Sequence, residues 1–262
     1  MDLYWLYDLS NPLLFIIIVG GITISGLSKT LLFPDFFRKV LGHQEQHNEF
    51  TIGFLSLTGA FLSITIGLII VGTYENYETS ERTVKSEVSS LYSLYKTVNY
   101  LEGKEKDDLK NSLRGYVNFV LEEEWQKQQS GIVPLLGVES LNVFEKKLFL
   151  YEPLSDKDQI VYRETLKNYE ELIKYREERI FSVNEGLPIS IYIVLMLGLF
   201  INILVSWQIV TDNRKLEIFV YTMTGILAGS LVFIIVAMDN PYRGEYSVST
   251  DSFSLFLNSI AN

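Results

Sequence analysis

Residues 50–73 read FTIGFLSLTGAFLSITIGLIIVGT. The stretch holds no Asp, Glu, Lys or Arg. As a helix it is long enough to cross the ~30 Å hydrocarbon layer of a bilayer. Three further stretches, 12–28, 188–210 and 218–238, share this property, and all 22 basic and 32 acidic residues lie outside the four. An ordinary soluble domain does not segregate its charge in this way. The sequence therefore predicts an all-α membrane protein with four transmembrane helices.

Reading outward from Thr73, no proline occurs before Pro134 and no glycine between Gly72 and Gly103. Tyr77, Glu81, Val84, Val88, Leu91, Tyr95 and Val98 follow at alternating steps of four and three, a heptad-like stripe. These features predict one helix over 50–101. At the helical rise it spans roughly 75 Å, so span 2 must continue into an extramembrane bundle. Within the span, Gly53, Ser56, Ala60, Ser63 and Gly67 recur at steps of three and four. Such a face either lets a neighbouring helix approach closely or lines a narrow passage.

The other segments complete the plan. Span 1 precedes a short polar connector, and Lys29 at its end can snorkel. Gly21, Ser25 and Ser28 form a small-residue strip on it. Apolar stripes predict further helices over 104–130, over 134–150 and from Ser155, whose spacing to Asp158 matches a capping box with Asp in place of Glu. Gly186-Leu187-Pro188 ends the bundle. Span 3 holds Asn202, which needs a hydrogen-bond partner in lipid, and Trp207, an interface anchor. Span 4 holds Gly225 and Gly229 at close-packing spacing. The predicted divisions are spans 1 and 2 over 1–73, a helical bundle inserted over 74–187, spans 3 and 4 over 188–238, and a tail over 239–262.

Composition excludes several classes. The chain has no cysteine, so disulfides and thiolate metal sites are absent. Its net charge of -10 opposes nucleic-acid binding. No phosphate-binding loop, dinucleotide fingerprint or nucleophile elbow occurs. No enzyme and no cofactor is expected. The first eleven residues carry Asp2 and Asp8 without a basic residue, which favours a retained span over a cleaved signal peptide. Basic residues divide almost evenly between connectors (Lys29, Arg38, Lys39, Arg214, Lys215) and bundle side (Arg82, Lys85, Lys174, Arg176, Arg179, Arg243), so charge fixes no orientation.

Some polar residues could carry chemistry, each with a plainer reading beside it. Glu122-Glu123-Glu124 cannot all face one ion on a helix. They are expected as a solvated face, as partners of Arg114 or Lys127, or as a cation-attracting rim. His43 and His47 lack a third metal ligand, so no metal site is expected. Asp239 either fixes the exit turn with Pro241 or holds Arg82, Arg176 or Arg179. Tyr74, Glu75, Asn76 and Tyr77 read equally as a polar vestibule or as an interfacial aromatic belt.

Four motifs resemble the bestrophin-like membrane proteins of bacteria and plants. They are Tyr74-Glu75-Asn76-Tyr77 followed by Glu87, Leu91 and Tyr95; Leu113-Arg114-Gly115-Tyr116-Val117 with Glu123-Glu124-Trp125; Gly186-Leu187-Pro188; and Asp239-Asn240-Pro241-Tyr242-Arg243-Gly244 with Val248 and Phe253. Tyr242 stands where the family commonly has Phe. The resemblance implies structural motif roles for Arg114, Asp239, Pro241 and Gly244. It also implies a plan like that of bestrophins: a pentameric anion channel in the cell membrane with a cytoplasmic bundle. No acidic calcium-binding cluster is recognisable.

Two functions follow. In the first, the chain self-associates in the bilayer around a pore that passes small inorganic ions. Span 2 then supplies Gly53, Ser56, Ala60, Ser63 and Gly67 as lining, and Phe54, Phe61 and Ile64 as a constriction that gates by dewetting. In the second, the protein is a non-conducting scaffold or sensor whose bundle binds a partner.

Overall fold

The computed structural model describes residues 3–33, 36–41, 45–134 and 138–261. Among these every regular element is helical. In chain order they are a 3-10 helix (Leu3–Asp8), α1 (Asn11–Leu32), α2 (Phe36–Leu41), α3 (Glu45–Asn99), α4 (Lys106–Phe119), a π-turn (Val120–Glu124), α5 (Trp125–Gln129), α6 (Glu139–Phe149), α7 (Asp156–Phe181), a 3-10 turn (Ser182–Asn184), α8 (Ile189–Ser206), α9 (Arg214–Met238) and α10 (Asp251–Ala261). Helices α1, α3, α8 and α9 are long and apolar enough to cross a membrane. The chain divides into two compact units, one of residues 1–75 with 186–239, the other of 76–185 with 240–262. The tail from Asn240 thus clusters with 76–185.

In the first unit, α1 and α9 pack through the two glycines of α9. A Cβ on Gly225 would lie 2.6 Å from the Thr23 Cα, and one on Gly229 would lie 2.7 Å from the Val19 Cα. Only glycine leaves room for that backbone approach. The face of α1 that meets α9 is therefore Val19, Thr23 and Gly26, not the expected strip of Gly21, Ser25 and Ser28. Nothing lies within 4 Å of a Cβ placed on Gly21. With the gap provided by α9, α1 can fill it with side chains.

Polar groups in this unit find partners across helices. The Asn202 amide donates to the Gly198 carbonyl at 2.9 Å and accepts from the Thr58 hydroxyl at 3.1 Å. Trp207 donates to the Gly26 carbonyl at 3.2 Å. Lys29 is buried rather than reaching for solvent, because Glu217 at 2.6 Å and the Ile209 carbonyl at 2.5 Å take its ammonium.

In the second unit, Leu91, Leu94 and Val98 of α3 meet Leu113 of α4, Phe144 of α6 and Phe256 of α10 in one core. The start of α7 is fixed twice. The Ser155 hydroxyl accepts the Asp158 amide at 3.1 Å. The Asp158 carboxylate in turn accepts from the Tyr151 hydroxyl at 2.6 Å, the Leu154 amide at 2.9 Å and the Glu102 amide at 3.2 Å. Burial alone raises this carboxyl, but the Tyr151, Leu154 and Glu102 bonds outweigh it and hold it below the usual 3.8.

Two outcomes test these contacts. Gly225→Val and Gly229→Val should each cost about 1–3 kcal/mol by overpacking, seen as a lower thermal midpoint in detergent, while Gly21→Ala leaves the midpoint unchanged. Asp158→Asn should lower the midpoint at neutral pH. Because the folded carboxyl sits below its unfolded value, that difference should shrink only as pH falls below 3.8.

Candidate functional site

Helix α3 presents three faces over 50–74. Thr51, Ile66 and Thr73 are buried, and Leu62 packs against Gly198 of α8. At 100° per residue, Gly53, Ser56, Ala60, Ser63 and Gly67 lie together on a second face. Phe54, Leu57, Phe61, Ile64 and Leu68 share a third. Every residue of these last two faces is exposed, and nothing lies within 4 Å of a Cβ on Gly53 or Gly67. Only 6% of the most apolar window of α3 is buried, against 33% for α9. The chain thus leaves two of the three faces of this stretch exposed.

The hydroxyls on the small-residue face have fixed orientations. Ser56 donates to the Ile52 carbonyl and Ser63 to the Gly59 carbonyl, both at 2.8 Å. Their protons are engaged within the helix, so the outward side of each oxygen offers lone pairs only. Tyr74 is exposed at the end of this stretch, in the first unit. Asn76 and Tyr77 belong to the second unit, where the Asn76 amide donates to the Glu185 carbonyl at 2.9 Å.

Asp239, in the first unit, caps the entry to α8. Its carboxylate accepts the Leu187 amide at 2.5 Å, the Tyr192 hydroxyl at 2.9 Å and the Tyr7 hydroxyl at 3.2 Å. None of the three expected arginines is its partner. Arg82 pairs with Glu78 at 2.6 Å, and the other two lie in a separate cluster. In the second unit, the Pro241 carbonyl accepts the Val248 amide at 2.8 Å, and Gly244 takes φ +75°, a backbone conformation that favours glycine. Arg114 donates to the Ile260 carbonyl at 2.9 Å and to the Tyr95 hydroxyl at 3.3 Å, which ties α10 to the bundle. It does not pair with the glutamate run.

That run divides. Glu122 and Glu123 are exposed, with Glu123 at 3.6 Å from Lys127. Glu124 is fully buried, 2.6 Å from Arg176 and 2.7 Å from Arg179. Arg179, itself fully buried, also donates to Glu87 at 2.5 and 3.0 Å and to the Gln128 carbonyl oxygen at 2.7 Å. The Tyr116 hydroxyl donates to Glu87. The rings of Trp125 and Phe253 stand 5.8 Å from the guanidinium. The π-turn makes this possible. Its i+5 bond, from the Trp125 amide to the Val120 carbonyl, inserts one residue and brings Glu124, Trp125 and Gln128 into the core together. Burial pushes the Tyr116 phenol up, and the Glu87 carboxylate adds to that effect. Burial works against the charge on Arg179, yet Glu87, Tyr116 and Glu124 raise its affinity for the proton well above the ordinary value.

A solvated face was the first expectation for Glu124, and the structure overturns it. A signal was present: Glu124 follows Val120 by four, and Arg176 follows Ile173 by three, so both continue apolar stripes. Glu87 carries a similar signal, three residues after Val84 and four before Leu91, and it belongs to the first of the four resembling motifs. Among the described residues no group of three His, Asp or Glu could hold a metal. The pairing considered between His43 and His47 lies partly outside the described residues, as do Leu135 and Leu136. The buried cluster has equal numbers of carboxylates and guanidiniums, and its Arg179 and Glu87 side chains have no solvent access. Its chemistry is that of a joint.

Removing one partner from such a cluster strands buried charge. Arg179→Met should therefore cost about 3–5 kcal/mol, and Arg179→Lys should fail to restore the loss because an ammonium cannot bridge both carboxylates as a fork does. Thermal unfolding of the detergent-solubilised variants checks both.

A family model described as the Bestrophin-like domain matches residues 22–253. A crystal structure described as that of a membrane protein superposes with a TM-score of 0.68 at 14% identity, covering 94% of this chain and 95% of that one. At that identity the likeness concerns the fold. No curated protein matches the chain.

Proposed function

Because the chain belongs to the bestrophin-like family, we propose that it assembles in the cell membrane as an oligomeric ion channel with α3 lining the pore. The observation that carries this reading is the exposure of α3. A span with so little protein contact, bearing one face of small residues and one of large apolar residues, calls for neighbours in the bilayer. Copies arranged around an axis supply them. By analogy with bestrophins the assembly is a pentamer, and residues 74–187 form a bundle inserted between spans 2 and 3 on the cytoplasmic side. Phe54, Phe61 and Ile64 would form the constriction, and Ser56 and Ser63 the polar rungs beside it. Tyr74, Asn76 and Tyr77 would line the vestibule.

Two features bear on the permeant ion and pull apart. The analogy favours anions. The absence of Lys and Arg from residues 50–73, with outward lone pairs on Ser56 and Ser63, suits cations. The reversal potential across a salt gradient in a planar bilayer decides between them. A second reading, a non-conducting scaffold, is favoured by the exposed Phe149, Leu150 and Leu154 of the second unit, which could seat a partner.

Purified protein in nanodiscs should contain four or more copies. Proteoliposomes should pass ions, and Phe61→Ala should raise flux several-fold by letting the constriction wet, whereas Ser63→Leu should lower it. A dimer without flux would sink the channel reading and leave the scaffold. Since the chain has no cysteine, a single Lys96→Cys tests the side: in right-side-out vesicles an impermeant maleimide should leave it unlabelled.

A further inference from the structure

The second unit carries an apolar surface at one particular end. Its chain passages adjoin there. Asn76 follows α3's apolar stretch by three residues and bonds to the carbonyl of Glu185 at 2.9 Å. Glu185 precedes the turn into α8, and Asn240 follows the end of α9 by two. Ser182 bonds to Tyr242 at 3.2 Å. Arg243 reaches the Ser130 carbonyl at 3.1 Å, which brings the turn after α5 to the same end.

That turn is built to point side chains outward. The Gly131 amide bonds to the Gln128 carbonyl at 2.8 Å and the Ile132 amide to the Lys127 carbonyl at 2.9 Å, closing a Schellman motif. Gly131 takes φ +71°, and a Cβ on it would collide with the Arg243 guanidinium. A Schellman motif usually lays its next apolar residue back on the helix. Here Ile132 is 58% exposed and Val133 42%. Pro134 and Val138 are buried. From Ser130 to Val138 the sequence carries no charged residue. Beside the same passages Phe181 is 60% exposed and Tyr246 48%.

We propose that this end is a lipid-contacting surface: Ile132, Val133, Phe181 and Tyr246 enter the boundary between headgroups and acyl chains. Connectivity argues for lipid rather than a soluble partner. Each passage leads within a few residues into a helix long and apolar enough to cross a bilayer, so this end is delivered to the membrane by its own chain. An uncharged loop, a Phe and a Tyr are the side chains that the interface accepts. The inference needs the membrane assignment but not the channel reading.

The absence of cysteine allows a direct test. Ile132→Cys and Phe181→Cys in the full chain carry a nitroxide, with Ile160→Cys as reference. Ile160 is 70% exposed in the same unit, on α7 near the opposite helix end. In vesicles of phosphatidylcholine and phosphatidylglycerol, the ratio of collisions with oxygen to collisions with a water-soluble nickel chelate should be several-fold higher at 132 and 181 than at 160. Equal ratios at all three sites would overturn the proposal. So would spin–spin broadening at 132 that vanishes on dilution with unlabelled protein and comes without oxygen preference, since the face would then meet a second copy.

Discussion

The guanidinium of Arg179 cannot be buried alone. Taking a charge out of water costs several kcal/mol, and attraction to a partner offsets this only when the remaining hydrogen bonds are also made. In the second unit that requirement gathers Glu87 from α3, Glu124 from the π-turn, Gln128 from α5 and the ring of Phe253 from α10 around one side chain of α7. The cluster gives little net stability compared with an apolar core of equal volume. What it supplies is a single arrangement: each helix must present one particular residue, and a rotation of any of them leaves charge unpaired.

The first unit solves a different problem. Between helices in lipid, apolar attraction does not favour protein over acyl chains, so contact depends on close backbone approach and on satisfied polar groups. Gly225 and Gly229 supply the first to α1, and Asn202, Trp207 and Lys29 the second. Helix α3 joins them through Thr58, which donates to Asn202, and through Leu62 beside Gly198, but leaves its two other faces exposed. Its apolar part is only loosely held by its own chain, and the exposed faces are where association between copies can act.

The apolar segments were legible because charge is excluded from them over lengths a bilayer sets. The extent of α3 was legible from the lack of helix breakers after Gly72. The α9 glycine pair could be named, but not which face of α1 it meets, since small residues on α1 mark several faces and packing selects one. The buried cluster was harder. Glu122, Glu123 and Glu124 are chemically identical, and although Glu124 continues the stripe of Val120, an unbroken helix would carry Trp125 away from that face. The inserted residue of the π-turn has no signature in composition or periodicity. Glu87 sits beside Val88 in a helix that reads as uniformly amphipathic. The tail helix was missed because Phe253 and Phe256 acquire meaning only once the groove that receives them exists.

The π-turn has a further consequence, in how the sequence tolerates changes of length. A surface loop absorbs an added or lost residue at small cost. Val120–Glu124 lies within a run of helix from Lys106 to Gln129, so it already contains the equivalent of one inserted residue. Losing Glu122 or Glu123 would let the turn close as an ordinary helix with everything downstream left nearly in place. Gaining a residue, or closing the turn as an ordinary helix at its present length, would instead rotate Trp125 and Gln128 by about 100° and carry them out of the core. Between α4 and α5 the chain thus tolerates a shortening that the rest of the helix would not.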